Sequence, residues 1–188
     1  LSKFLTIDDD VKLIGIAEHN GGIFNEEGID VDHARKYFIK NKSFENYPKA
    51  NFIKDSSLLL KRECDILIPA ARENVITEKN ANDISAKLIV EAANGPITYK
   101  ADQILKRKKI FIIEDAAEAL GSSVKGTKVG SNADATIFSF TGNKVLTTGE
   151  GGAITTNSRE IYEKIKLIRS HGRIDKINYF NNPHESNY

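Results

Sequence analysis

The sequence contains no methionine, no tryptophan and a single cysteine, Cys64, among its 188 residues. One cysteine rules out an internal disulfide framework, which makes a reducing cytoplasm the default compartment. Cys64 precedes the apolar run Ile66-Leu67-Ile68, a setting that favours a plain buried thiol over a reactive one. No apolar run is long enough to span a bilayer, and no signal-peptide pattern opens the chain. Charge of one sign is not in excess either: 27 basic and 26 acidic side chains leave a net charge of +1, so no basic face for nucleic acid is implied. A chain of this length that begins at Leu1 without any methionine, and ends abruptly at Tyr188, reads as a piece of a longer product. A glycine-rich G-x-G-x-x-G loop is also missing: Gly149-Glu150-Gly151-Gly152-Ala153-Ile154 fails at the last position and leads into a strand pattern rather than a helix.

What is present suits a folded chain of one domain or two small ones. The composition is 40% hydrophobic and 28% charged, enough for a core. Val11–Ala17, Cys64–Pro69, Ala86–Ala92, Ile110–Asp115 and Ala133–Phe140 read as buried strands. Asp30–Lys40, Glu78–Ile84, Thr98–Lys108 and Ser158–Arg169 read as helices, the last capped by Ser158 with an apolar stripe of Ile161, Ile165 and Ile168. Gly126 and Gly130, with Lys125, Thr127 and Lys128, suggest a small hairpin. Gly149, Gly151 and Gly152 precede a further strand at Ala153–Thr156. Strands alternating with helices predict an α/β fold with a mainly parallel, three-layer sheet and right-handed crossovers. The segment Asp175–Tyr188 is rich in asparagine and predicted loose.

The first candidate site is a nucleotide cleft. Val11–Glu18 reads as a strand ending in an acid, and in a dinucleotide fold such an acid accepts hydrogen bonds from the adenosine ribose. A solvated loop carboxylate is the plainer reading of Glu18 taken alone. The wider run Gly15-Ile16-Ala17-Glu18-His19-Asn20-Gly21-Gly22-Ile23-Phe24-Asn25, then Gly28-Ile29-Asp30, then Cys64-Asp65-Ile66-Leu67-Ile68-Pro69-Ala70-Ala71 with Glu73-Asn74, and finally Glu91-Ala92-Ala93-Asn94-Gly95-Pro96 with Ala101-Asp102, resembles the NAD-binding domain of the glutamate dehydrogenase family. The likeness is nearly continuous over residues 11–108. It implies a Rossmann-like half that binds NAD(P), with Glu18 on the adenosine ribose, the backbone at Ala70 and Ala71 lining the cofactor cleft, and Asn94 near the nicotinamide ribose. It also implies a phosphate loop just before residue 11, where Leu1–Asp10 carries three consecutive aspartates instead. The resemblance assigns the catalytic lysine and aspartate to an earlier domain.

The second candidate site is of another kind. Ile112-Ile113-Glu114-Asp115-Ala116-Ala117-Glu118-Ala119-Leu120-Gly121, then Ile137-Phe138-Ser139-Phe140-Thr141-Gly142-Asn143-Lys144, then Thr147–Gly152 and Arg169-Ser170-His171-Gly172-Arg173, resemble the DegT/DnrJ-type sugar aminotransferases, nearest the perosamine-synthase branch. That resemblance implies pyridoxal phosphate (PLP) as cofactor, a keto sugar carried on a nucleotide as substrate, and an amino donor such as glutamate. Lys144 would be the Schiff-base lysine and general acid/base. Asp115 would pair with the pyridine nitrogen, Glu118 would position the ring from one helical turn later, and Ser139 would bind phosphate. Asp115 also reads as a cap for a helix at Ala116–Leu120. His171 beside Gly172 reads as a turn residue, and Lys144 without its motif as a solvated lysine.

Residues 1–109 and 110–188 are therefore expected to behave as two segments meeting near Lys109, with one continuous or loosely paired sheet across the joint. Each lacks parts its own chemistry needs, so turnover by this chain alone is not expected. Both resembled families are oligomeric, which makes a homo-oligomer the expected assembly. The three readings left open are an aminotransferase-like segment joined to a nucleotide fold, a glutamate-type dehydrogenase fragment, and a hybrid without catalysis.

Overall fold

The computed structural model describes residues 11–169, which divide between Phe111 and Ile112 into two compact units. The predicted loose segment at Asp175–Tyr188, and His171 with its neighbours Ser170, Gly172 and Arg173, lie outside the described residues.

In the first unit, β1 (Gly15–Glu18), β2 (Gly21–Phe24) and β3 (Asn51–Ile53) form an antiparallel meander. This corrects the reading of Val11–Ala17 as a strand of the parallel sheet. Glu18 pairs with Gly21, so only His19 and Asn20 connect the two strands. Two residues can close a hairpin, whereas a parallel partner needs a crossover of a dozen or more. The return strand approaches closely: a Cβ on Gly22 would lie 2.5 Å from the Ile16 carbonyl oxygen, so glycine is required there.

Helix α1 (Val31–Asn41) starts where the Asp30 carboxylate accepts from the His33 N–H, and ends at Lys42, which turns left-handed at φ 57. Its apolar side joins Ile23, Ile29, Ala34, Phe44 and Tyr47 in a buried cluster with Phe38 and Phe52 against it. Rings of Phe38 and Phe44 lie 4.9 Å apart, and Tyr37 meets Tyr47 edge-on at 5.2 Å.

The rest of this unit holds β4 (Ile66–Leu67) and β5 (Leu88–Val90), paired in parallel with Ile66 opposite Leu88, and α2 (Tyr99–Arg107). Helix α2 is capped by Thr98, whose side chain accepts from the Ala101 N–H. Ala101 and Leu105 project from it into a core with Ile76, Ala81, Ile84 and Ile89, all of them 0% exposed. The helix predicted at Glu78–Ile84 shortens to a 3-10 turn at Ala81–Asp83. Asn80 explains why: its amide accepts from the Thr77 N–H at 2.8 Å and donates to the Val75 carbonyl at 2.9 Å, competing with helical pairing. Lys108 then fastens the end of α2 to this turn by donating to the carbonyls of Asn82 and Ile84.

In the second unit, β6 (Phe111–Asp115) and β9 (Ala135–Ser139) run parallel, with Asp115 opposite Ile137. β10 (Gly152–Thr155) returns antiparallel to β9. The predicted hairpin is present as β7 (Ser123–Val124) and β8 (Thr127–Lys128). Its two turn residues, Lys125 and Gly126, have φ of 49 and 81, the type I′ geometry that suits strand twist. Thr136 is 0% exposed and donates to Glu114 at 2.9 Å, so its buried hydroxyl is satisfied.

The predicted helix at Ala116–Leu120 is absent. Successive tight turns replace it, with Ala119 N–H to Ala116 O and Ser122 N–H to Ala119 O, both at 3.0 Å, and Gly121 at φ 84 stops any helical continuation. Helix α3 (Arg159–Arg169) forms as read, with the Ile161 N–H on the Ser158 hydroxyl. Its stripe is only partly covered: Ile161 and Ile165 are half-buried while Ile168 is 77% exposed. The chain is thus mixed α/β, with parallel pairing of β4 with β5 and of β6 with β9.

Candidate functional sites

Both candidate sites form at the carboxyl ends of parallel strands, the edge where such sheets place ligands. In the first unit the chain leaves β4 through Ile68, buried Pro69 and then Ala70 and Ala71. It leaves β5 through Glu91 and Ala92 to Ala93 and Asn94. The ladder extends past the strands, with the Ala92 N–H on the Pro69 carbonyl at 3.1 Å.

Beyond it, Ala70, Ala71, Glu73, Ala93 and Asn94 line an open cleft of about 420 Å³. Three of the residues singled out from sequence, Ala70, Ala71 and Asn94, are therefore brought together. Glu18 is not among the lining residues. It ends β1, exposed, at the tip of the β1–β2 hairpin, and so does not sit at the end of a parallel strand as the sequence suggested.

Glu73 and Ala93 line the cleft although sequence reading gave neither a role. The signal was available, since both fall inside the runs that carry the family likeness. The donor set fits a nucleoside-sized group: three alanine methyls let a flat ring approach, while one amide and one carboxylate can meet ribose hydroxyls.

The two walls are tied together. Asn74 N–H donates to Gly95 O at 3.0 Å, Ile76 N–H to Pro96 O at 2.9 Å, and Thr98 N–H to Ile76 O at 2.9 Å. Ile76 and Ile97 form a parallel bridge. Cys64, just before β4, is half-buried, and burial foremost, then the neighbouring Asp65 charge, pushes its thiol above the ordinary value. Both effects favour the neutral thiol over the nucleophilic thiolate.

In the second unit, Asp115 and Ser139 end the neighbouring strands β6 and β9, and the Ala116 N–H on the Ile137 carbonyl fixes their register. The Asp115 carboxylate accepts from the Ala117 N–H at 3.0 Å, so it caps a turn where sequence reading offered a helix cap. Those turns carry Glu118 to within 3.1 Å of the Lys144 ammonium. The lysine side chain is 16% exposed and the glutamate 64%, so the lysine stem is largely covered while the glutamate faces water.

Side-chain bonds link Ser139, Thr141 and Asn143, and a backbone bond closes the turn that holds Lys144. The Ser139 and Thr141 hydroxyls are 3.2 Å apart, Thr141 donates to the Asn143 side chain at 3.1 Å, and the Lys144 N–H returns to the Thr141 carbonyl at 3.0 Å. Among the described residues no cluster of His, Cys, Asp and Glu could hold a metal ion.

Comparison with known proteins gives these sites a family. The chain matches the Glutamate/Leucine/Phenylalanine/Valine dehydrogenase family over residues 3–165. The mitochondrial glutamate dehydrogenase of Dictyostelium discoideum is 49% identical over 104 residues, which is 55% of this chain and 21% of that protein. The NADP-specific glutamate dehydrogenase of Saccharolobus shibatae is 43% identical over 123 residues, 65% of this chain and 29% of that one. The chain therefore spans between a fifth and a third of the curated relatives it matches.

Among solved structures, a Helicobacter pylori aminotransferase involved in the biosynthesis of pseudoaminic acid aligns over 52% of this chain and 26% of its own. It does so at 37% identity with a TM-score of 0.43. The family match crosses the joint read at Lys109 and takes in most of the second unit, so dehydrogenase kinship is not confined to residues 11–108. The chain belongs to the Glutamate/Leucine/Phenylalanine/Valine dehydrogenase family.

Proposed function

We propose that this chain is a segment of an NAD(P)-dependent, glutamate-type amino-acid dehydrogenase, and that its first unit supplies part of the dinucleotide cleft. The observation that carries this reading is the cleft beyond β4 and β5, where Ala70, Ala71 and Asn94 converge. NAD(P) brings the hydride chemistry. The chain's own residues would seat one nucleoside of it, with the alanines beneath the ring plane and Asn94 at the ribose. Glu18 would bind the second ribose only if its hairpin reaches the same ligand. The catalytic lysine and aspartate would come from outside this segment, and the working form would be a homo-oligomer in a reducing compartment such as the cytoplasm.

The test is fluorescence enhancement of NADH and NADPH on titration with the chain. Enhancement that Asn94→Ala abolishes supports the assignment. Enhancement unchanged in Asn94→Ala removes the cleft from it, and loss on Glu18→Ala brings Glu18 into the site.

A second reading has one specific observation in its favour, the Lys144 ammonium paired with Glu118 at 3.1 Å, the glutamate following β6, which Asp115 ends, and the lysine following β9, which Ser139 ends. By this reading the second unit binds PLP as sugar aminotransferases do, with Lys144 attached to the cofactor, Asp115 at the ring nitrogen, Glu118 beside the ring and Ser139 at the phosphate. Borohydride treatment in the presence of PLP would then label Lys144. A chain that takes up no label, or labels equally as Lys144→Ala, excludes it.

A further inference from the structure

The two polar residues of the first-unit cleft share a backbone setting. Glu73 is followed by Asn74 at φ 53, and Asn94 by Gly95 at φ 52. Both followers are left-handed, and the N–H of one donates to the carbonyl of the other. The two segments run parallel, bridged at Ile76 and Ile97. Matching kinks at matching places turn each chain sharply just after its lining side chain. Buried Ile76 and Pro96 follow on the core side, leaving Glu73 and Asn94 at the rim.

We infer that Asn74 and Gly95 are paired positioning residues. Their joint left-handed conformation sets the separation of the two cleft walls, and so presents Glu73 and Asn94 to opposite edges of one ligand. This rests on the nucleotide reading for the ligand's identity, though not for the geometry.

The residue types support a role in backbone direction rather than side-chain contact. Asparagine and glycine are the two residues that enter the left-handed region at least cost. A Cβ added at Gly95 would meet nothing within 4 Å, so glycine is not there for want of space. Only the backbone angle distinguishes it from alanine.

That makes Gly95→Ala a clean probe, with Asn74→Ala its counterpart on the other wall and Asn74→Gly the rescue. The full chain carrying each substitution is titrated with NADH, and amide hydrogen exchange is followed at Asn74, Ile76 and Thr98, whose N–H groups make the cross-wall bonds. The expected result is binding weakened about five- to thirtyfold in each alanine variant and retained in Asn74→Gly, the range following from the cost of a left-handed alanine. Exchange at the three amides should quicken in the same two variants alone. A role carried by the Asn74 side chain would not be rescued by glycine, which removes that side chain and keeps only the backbone angle.

Equal affinity across the set, with the parent chain binding, overturns the inference. If the parent chain binds no NADH, the nucleotide reading fails while exchange still decides the geometry. Faster exchange in the alanine variants and not in Asn74→Gly upholds the pairing, and unchanged exchange overturns it.

Discussion

Leu105→Ala should destabilise the first unit by about 3–4 kcal/mol, and the reasoning can be followed group by group. Leu105 lies on α2 at 0% exposure, and Ile76, Ile84, Ile89 and Ala101 of the same unit are equally closed to water. Deleting its isopropyl end forfeits most of the transfer free energy of a fully buried aliphatic side chain, about 1.5–3 kcal/mol. A cavity is added, because the surroundings are poorly placed to collapse: Ile84 is held through the Lys108 bond to its carbonyl, and Ile76 by backbone bonds to Pro96 and Thr98. Leucine deletions at sites that cannot relax fall in the upper part of a range of about 2–5 kcal/mol.

The control is the same chemistry on an uncovered helix. Leu167 on α3 is 38% exposed, so Leu167→Ala should shift stability by no more than about 0.5 kcal/mol. Urea denaturation followed by circular dichroism at 222 nm, with tyrosine fluorescence as a second probe, reads both. A Leu105→Ala loss below about 1 kcal/mol, or a Leu167→Ala loss that matches it, refutes the packing described for α2, since the burial difference is the whole basis of the contrast.

The remaining predictions concern backbone, buried polarity and charge. Lys109 is left-handed at φ 59 just past α2, where the Ile110 N–H reaches back to the Leu105 carbonyl. Lys109→Gly should therefore stabilise the chain by about 0.5–1 kcal/mol in the same urea assay. Thr136→Val leaves the Glu114 carboxylate without its 2.9 Å donor and should cost about 1–3 kcal/mol, seen as a lower thermal midpoint. The hydrogen bond from the His33 N–H, then that from Lys49, holds Asp30 below the ordinary carboxylate value of 3.8. Its contribution is full above that value and is lost as pH falls through the lowered folded one. Asp30→Asn keeps a capping oxygen yet cannot titrate, so its thermal midpoint should fall less steeply than the parent's as pH drops below about 4. A parallel fall in both proteins would contradict this.

Helix ends were legible in the sequence wherever a side chain closes them. Asp30, Thr98 and Ser158 each accept from an N–H three residues on, and a cap is a local signal that needs no tertiary partner. The Lys125–Gly126 turn was legible for the same reason. Three features were not. The apolar run at Val11–Ala17 signals a strand but is silent on its partner, which the two-residue link to Gly21 decides. Asn80 and Asp115 replace helix with turns by binding nearby backbone, a competition that apolar spacing does not register. The isoleucine stripe of α3 names a face and leaves its covering unspecified.

The candidate sites divide along the same line. Ala70, Ala71 and Asn94 converge because each follows a parallel strand closely, so the run of sequence alone places them together. Glu18 was assigned by the same logic and does not follow a parallel strand, which is why it stands apart from the cleft lining. Asp115 and Ser139 follow parallel strands too, and their adjacency is equally local.

This shared grammar is why the sequence of a dehydrogenase-family chain also admits a PLP reading. A strand, a loop, a helix and a second strand ending in an acid, as in Leu88–Val90, Tyr99–Arg107 and Phe111–Asp115, serve a nucleotide cleft and a PLP platform alike. Adjacency at strand ends is therefore weak ground for choosing a cofactor, and the choice turns on groups the fold does not dictate. In the first unit those groups are an amide and a carboxylate set one residue before paired left-handed residues, whose own N–H to carbonyl bond ties the two segments together. In the second unit they are a lysine and a glutamate joined in an ion pair, which also has a purely structural use in tying the loop after β9 to the turns after β6. The nucleotide assignment is the better grounded of the two, because the dehydrogenase family match runs over residues 3–165 and takes in every residue that lines the cleft.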